Sequence, residues 1–251
     1  MNIIQTIVIA IVEGITEFLP ISSTGHMILA SKLLNIQQTE FVKSFEIIIQ
    51  LGAILAIVVI YFSKLRSNFV LFKNTLIAFL PSAFFGLFLY KYIKMYLIGN
   101  TTVVVWSLLI GGIVMLLFER FFVPKKVSVL STKSYVLIGI CQLFSMIPGV
   151  SRAFATIFGG MVVGMKKEEA TEFSFFLAIP TMLGATILDL YKTGFVYHST
   201  EYMLLATGLV VSFLTAYVVV KWLIKFVQNH NFNIFGWYRI ILASLFYFLF
   251  V

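Results

Sequence analysis

Six stretches of this chain, at 45–62, 75–93, 101–118, 172–190, 202–222 and 236–251, are apolar for long enough to cross a bilayer, which takes ~20 residues. Two more, 3–34 and 135–164, are cut at their centres by Pro20-Ile21-Ser22-Ser23-Thr24-Gly25 and by Pro148-Gly149-Val150-Ser151-Arg152. A chain crossing lipid must satisfy its own N–H and C=O groups. Irregular backbone at that depth therefore survives only when buried in protein or lining a wet cavity. The halves of each broken stretch are too short to span, so they read as two re-entrant helical hairpins beside six transmembrane helices. Composition agrees, with 61% of residues hydrophobic and 11% charged, outside the range of soluble globular domains. The expected fold class is an all-α polytopic membrane protein, a single membrane domain over 1–251.

Loops rich in Lys and Arg stay on the cytoplasmic side. Threading the chain puts Lys64, Arg66, Lys73, Arg120, Lys125, Lys126, Lys133, Lys166, Lys167, Lys221 and Lys225 on one side and only Lys32, Lys43, Lys91, Lys94 and Lys192 on the other. With the richer side inside, the first hairpin enters from outside and the second from inside. That is an inverted-topology repeat, with approximate halves 1–118 and 135–251. Setting Pro20 against Pro148 aligns Ser23 with Ser151 and Thr24 with Arg152, and Leu51-Gly52-Ala53-Ile54-Leu55 resembles Leu183-Gly184-Ala185-Thr186-Ile187. A pseudo-two-fold axis in the membrane plane would bring the two hairpin tips together near the bilayer middle. The net charge of +8 suits anionic lipid head groups or an anionic substrate; the basic residues are scattered, which argues against nucleic acid. No signal-peptide pattern opens the chain, and the single cysteine, Cys141, allows no internal disulfide.

The chemistry concentrates at the hairpin tips. Glu13-Gly14-Ile15-Thr16-Glu17-Phe18-Leu19-Pro20-Ile21-Ser22-Ser23-Thr24-Gly25-His26 places two carboxylates, hydroxyls and an imidazole inside an apolar segment, where such groups are costly and mark a functional site. Glu13 and Glu17 share a helical face one turn apart, where like charges repel unless a cation or a shared proton lies between them. Pro20 stops the helix, and the small-residue loop after it can hold an anion with hydroxyls and backbone N–H groups. The second tip adds Arg152, flanked by Ser151 and followed by Thr156. Arg matches phosphate with two prongs, and a carboxylate pair suits the divalent cation that accompanies diphosphates. The constellation fits phosphoryl chemistry on a lipid.

The first of these motifs, together with Pro148-Gly149-Val150-Ser151-Arg152-Ala153-Phe154-Ala155-Thr156, closely resembles the two signature motifs of the bacterial undecaprenyl-diphosphatases, the integral-membrane family also associated with bacitracin resistance. Ala153-Phe154 stands where that family often has Ser-Gly. The resemblance implies removal of the terminal phosphate from undecaprenyl diphosphate, a polyprenyl diphosphate lipid, and recycling of this carrier for cell-wall synthesis. It also implies a multi-pass protein of the bacterial inner membrane, an active site open to the outer face, and a need for Mg²⁺ or Ca²⁺. Joined to the residue reading, it assigns the diphosphate to Arg152 with Ser22, Ser151, Thr24 and Thr156, and the cation to Glu13 and Glu17. Ser23 is the preferred nucleophile with His26 as its base, a metal-activated water the alternative.

Inverted repeats with broken helices also build secondary transporters. A transporter or flippase for the lipid monophosphate or a small anion is therefore the competing class, and a homodimer is compatible with either. Gln142 and Ser145 fall where they would line the site, whereas Glu46, Glu172 and Asp189 fall near span ends, where snorkelling or capping accounts for them.

Overall fold

A computed structural model describes residues 1–122, 130–194 and 198–250. Lys125 and Lys126, which enter the charge count, lie outside the described residues. Every regular element among those residues is helical. α1 (Ile3–Thr16) is started by a capping box in which Asn2 and Gln5 bond each other's backbone N–H groups, and α2 (Ser23–Leu33) follows after the Glu17–Ser22 turn. α3 (Glu40–Ile48) and α4 (Gln50–Ile60) join into one apolar stretch, short α5 (Phe62–Ser67) turns the chain, and α6 (Phe69–Tyr92) runs into a π-helical turn, Ile93–Leu97. After α7 (Thr101–Phe121) the pattern begins again: α8 (Thr132–Leu143), a 3₁₀ turn at Phe144–Met146, α9 (Arg152–Val162), then α10 (Lys167–Thr193), α11 (Ser199–Asn229) and α12 (Asn233–Phe250).

Five helical stretches, Glu40–Ile60, Phe69–Leu97, Thr101–Phe121, Lys167–Thr193 and Ser199–Asn229, are long and apolar enough to cross a membrane. The sixth expected span is the shorter α12, whose 18 residues reach about 27 Å at 1.5 Å per residue. The chain is an all-α polytopic membrane protein. Both broken stretches fold as pairs of short helices, 14 and 11 residues in α1 and α2 and 12 and 11 in α8 and α9, too short to span.

The helices interlock across the two halves of the chain. α1 packs along α11, and reciprocally α8 packs along α6. Glycine sets both approaches: a Cβ on Gly14 would lie 2.7 Å from the Ser212 carbonyl oxygen of α11, and one on Gly139 only 2.1 Å from the Ala78 carbonyl oxygen of α6. Each broken hairpin thus rests on a long helix of the other half, through the small-residue contacts that let backbones touch where no hydrophobic force drives helices together. The abundant Phe residues divide: Phe69, Phe72, Phe84, Phe88 and Phe248 face outward, whereas Phe18, Phe45, Phe175, Phe176 and Phe232 are fully buried.

Several of the ionic side chains counted above find partners. Lys94 pairs with Asp189 at 2.6 Å and Lys43 with Glu40 at 3.2 Å. Elsewhere Lys64 pairs with Glu172 at 2.7 Å, and Lys167 donates to the His230 carbonyl. Asp189 and Glu46 are not snorkelling: Asp189 is inaccessible and also accepts from Tyr90, while buried Glu46 accepts from Ser31 and Gln38. Because the hydropathy pattern marks depth along a helix but not facing, it could not distinguish these from end groups.

Gly139→Leu should lower stability in detergent by about 1–3 kcal/mol through overpacking against α6, read as a lower thermal unfolding midpoint. Gly86→Ala, whose Cβ would meet only the Met146 methyl at 3.7 Å, should leave the midpoint in place.

Candidate active site

The two hairpin tips meet, and the same device starts the second helix of each. Ser22 and Ser151 take up φ of 75° and 80°, a region L-residues rarely enter, and each caps the helix that follows. Ser22 Oγ accepts from the Gly25 N–H at 3.2 Å, and Ser151 Oγ from the Phe154 N–H at 3.2 Å. The equivalent pairs are therefore Ser22 with Ser151 and Ser23 with Arg152, one residue away from the register set by the two prolines. The second tip needs one more residue between its proline and its cap, and Gly149, at φ 98°, makes room for it. Ser22 Oγ also accepts from the Gly149 N–H at 3.2 Å, tying one tip to the other.

Arg239 of α12 holds the pair from behind. It is inaccessible to solvent, and its guanidinium donates to the carbonyl oxygens of Pro20 (3.2 Å), Gly149 (2.8 Å) and Val150 (2.9 Å) in the tips and of Ser107 (3.0 Å) and Leu108 (3.4 Å) in α7. Gly111 leaves the space, since a Cβ there would lie 2.0 Å from Arg239 Nη2. Phe154, one of the two residues that depart from the resembled motif, places its ring 5.2 Å from the same guanidinium. Sequence reasoning missed Arg239, although an arginine inside an apolar run is itself the signal that marks such a site.

Glu17 lies between the two helix starts. Its Oε1 accepts from Arg152 Nη2 at 2.6 Å and its Oε2 from Ser23 Oγ at 2.5 Å, and all three residues are at least nine-tenths buried. Arg152 also donates through Nη1 to the Ser174 carbonyl at 2.9 Å, with its Nε unpartnered. Glu17, Ser22, Ser23, Thr24, Ser151 and Arg152 line one cavity of about 350 Å³. Gln142 and Ser145 line it as expected, and Lys43, Glu46 and Lys94 line it as well.

Three expectations need correction. His26 is not against Ser23: its Nδ1 lies 2.7 Å from the Ser22 carbonyl oxygen, which can only accept, so Nε2 is left to accept from the Tyr238 hydroxyl at 2.9 Å. No lone pair remains for the serine, and the group placed to take its proton is Glu17. Thr156 does not reach the cavity; it is inaccessible, donates to the Arg152 carbonyl at 2.8 Å and contacts Ser174 Oγ at 2.7 Å. It fixes the turn that carries the arginine. The hydroxyls of Ser22 and Ser151, though on the cavity wall, are engaged as caps, so the anion is left Thr24, Arg152 and helix-start N–H groups.

Glu13 is inaccessible, both of its carboxylate oxygens lack a hydrogen-bond partner, and the charges of Glu17, Arg152 and Glu46 all act on it. Orphaned carboxylate oxygens beside a second carboxylate fit a divalent cation. Among the described residues no group of three or more His, Cys, Asp or Glu gathers to hold a metal ion, so a cation here would have to draw the rest of its shell from substrate phosphates and water.

Residues 6–245 match the family described as Bacitracin resistance protein BacA. Relatives named undecaprenyl-diphosphatase include one from Aquifex aeolicus, 48% identical with 96% of each chain covered, and one from Sulfurihydrogenibium sp., 47% identical with 98% of this chain and 99% of the relative covered. A third, from Bdellovibrio bacteriovorus, is 43% identical over 97% of this chain and 94% of its own. With the match running through both hairpin tips and every long helix, the chain belongs to the bacitracin resistance protein BacA family.

Proposed function

We propose that this protein hydrolyses undecaprenyl diphosphate to undecaprenyl phosphate and inorganic phosphate, returning the lipid carrier to cell-wall synthesis. The observation that carries the reading is the Glu17 carboxylate held between Ser23 and Arg152 at the starts of two facing helices, on the wall of one cavity. An arginine, a hydroxyl and a base converging on one space form a phosphoryl-transfer constellation; the relatives' shared name supplies the substrate.

Arg152 and the N–H groups at the starts of α2 and α9 hold the terminal phosphate. Ser23 Oγ attacks the terminal phosphorus while Glu17 takes its proton. The Ser23 O–P bond forms as the bond from phosphorus to the bridging oxygen breaks, and the lipid monophosphate leaves with that electron pair and the proton from Glu17. Water then attacks the phosphoserine with Glu17 again as base, the serine O–P bond breaks, Ser23 recovers a proton and inorganic phosphate departs. Charge spreading over the phosphoryl oxygens meets the buried Arg152, where such stabilisation is stronger than in bulk water. His26 and Thr156 position Ser22 and Arg152. Glu13 and Glu17 would hold the divalent cation, which when bound offsets the charge of the diphosphate.

The reading extends to placement. The two halves, 1–118 and 135–251, form an inverted-topology repeat in the bacterial cell membrane, with the cavity open to the outer face. Its support is that Lys43 and Lys94 of the Lys-poor side line the cavity, whereas Lys64 and Lys167 pair elsewhere.

Purified protein in detergent should release phosphate from undecaprenyl diphosphate; a flippase without a compartment would release none. Ser23→Ala should lower turnover at saturating lipid by several orders of magnitude, and Ser23→Ala with Glu17→Gln should cost little more than either alone, as for groups sharing one step. Substantial residual turnover in Ser23→Ala would reject the covalent route in favour of direct attack by water. Chelation should abolish turnover, and Glu13→Gln should weaken the apparent affinity for Mg²⁺; indifference to chelator would remove the cation from the scheme. In a Cys141→Ala background, Lys192→Cys should react with an impermeant thiol reagent in intact cells and Lys73→Cys should not; the reverse labelling would invert the orientation.

A further inference from the structure

Beside the active-site cavity lies a second, almost wholly apolar concavity of about 500 Å³, walled on one side by Leu89, Tyr92 and Tyr96 and on the other by Leu143 and Phe144. It adjoins the first, with Ile93, Met146 and Ile147 lining both. Two local departures from α-helical geometry make the junction. On one wall α6 ends in the π-helical turn Ile93–Leu97, a widened turn of a kind that recurs at functional sites. It sends Lys94 into the cavity, 8% exposed, and leaves Tyr92 and Tyr96 on the groove, 63% and 62% exposed, their rings stacked at 6.4 Å. On the other wall the 3₁₀ turn Phe144–Met146 ends α8 and leads directly into Pro148-Gly149-Val150-Ser151-Arg152. One hairpin tip therefore carries an apolar wall upstream and the phosphate-facing arginine downstream.

Resting on the phosphatase reading, we propose that this groove seats the isoprene units next to the diphosphate. The substrate then lies with its head against Arg152 and its tail leaving between Tyr96 and Phe144 into the bilayer. Head and tail are covalently joined, so a diphosphate in the polar cavity must send its chain out along apolar surface next to that cavity, and the groove that shares Ile93, Met146 and Ile147 with it is placed to take the chain. The aromatic faces of Tyr92, Tyr96 and Phe144 offer flat apolar surface to the unsaturated chain. A lipid merely coating the protein needs no concavity beside the polar site. On this assignment the groove makes long polyprenyl diphosphates better substrates than short ones, while the chemistry at phosphorus stays the same.

The test compares hydrolysis of undecaprenyl diphosphate and of farnesyl diphosphate by the purified protein in detergent, in the wild type, Phe144→Ala and Leu89→Trp. Both positions line the groove and not the cavity. KM for the long substrate should rise roughly tenfold, as expected for losing or blocking one large apolar contact, while kcat/KM for farnesyl diphosphate changes little and reports an intact fold. Equal losses on both substrates, or no change on either, would overturn the assignment. A diazirine-bearing polyprenyl diphosphate on the wild type gives an independent reading: labelling within Phe85–Leu97 and Leu143–Ile147 supports the groove, and labelling confined to other helices rejects it. A wild type that hydrolyses neither diphosphate would sink the phosphatase reading itself, and the groove's role with it.

Discussion

Everything in this fold depends on how two irregular tips are kept satisfied where lipid offers no hydrogen bonds. Pro20 and Pro148 break the helices, and the backbone around them exposes carbonyls that cost several kcal/mol each if left unpaired in hydrocarbon. Arg239 meets three of these carbonyls and two more in α7 with a single guanidinium. The Ser22 hydroxyl accepts from the opposite tip at Gly149. A buried arginine is tolerable because its donors fan out in a plane that this ring of carbonyls matches. Without these ties the two helix starts would have no reason to face each other.

Their facing makes the chemistry. Each cap serine at positive φ starts a helix with its first residue beside the other's, so Ser23 and Arg152 both fall against Glu17. The carboxylate makes two contacts through one geometry: Oε1 accepts from the arginine and Oε2 from the serine hydroxyl. Breaking a buried pair of this kind costs about 3–5 kcal/mol, so Glu17 holds the fold together at the candidate site. Thr156 and His26 act one step back, each spending its hydrogen bonds on the turn that carries a reacting residue. The polar head of the cavity and the apolar groove beside it then divide a two-part lipid between a hydrogen-bonding surface and a greasy one.

Hydropathy and proline placement made the architecture legible. The long helices lie where apolar runs predict them, and both interrupted stretches fold as short helix pairs, because no other arrangement satisfies backbone at that depth. The candidate site was legible because carboxylates, hydroxyls and an arginine in apolar surroundings are too costly to be incidental. Glu17, Ser23, Ser151, Arg152 and Thr24 meet in one cavity as that argument requires. Arg239 carried the same signal and was passed over because it lay outside the two motifs, while Lys94 and Asp189 were read as loop and span-end residues.

What the sequence could not supply is direction within a helix and across the chain. Spacing puts Glu13, Glu17, Ser23 and His26 within reach of one another, yet which hydroxyl meets which base turns on a one-residue difference in where each cap falls. The imidazole goes to Tyr238, more than two hundred residues away, a choice no local pattern encodes. The same holds for Thr156, whose residue type fits phosphate binding but whose side chain turns back onto its own helix. Membrane depth and local breaks follow from the chemistry of each segment taken alone, and the sequence by itself determined them. The pairing of Glu17 with Ser23 and Arg152, the five-carbonyl grip of Arg239 and the groove beside the cavity exist only once both hairpins dock, because each is shared between segments distant along the chain, and only the tertiary structure decided them.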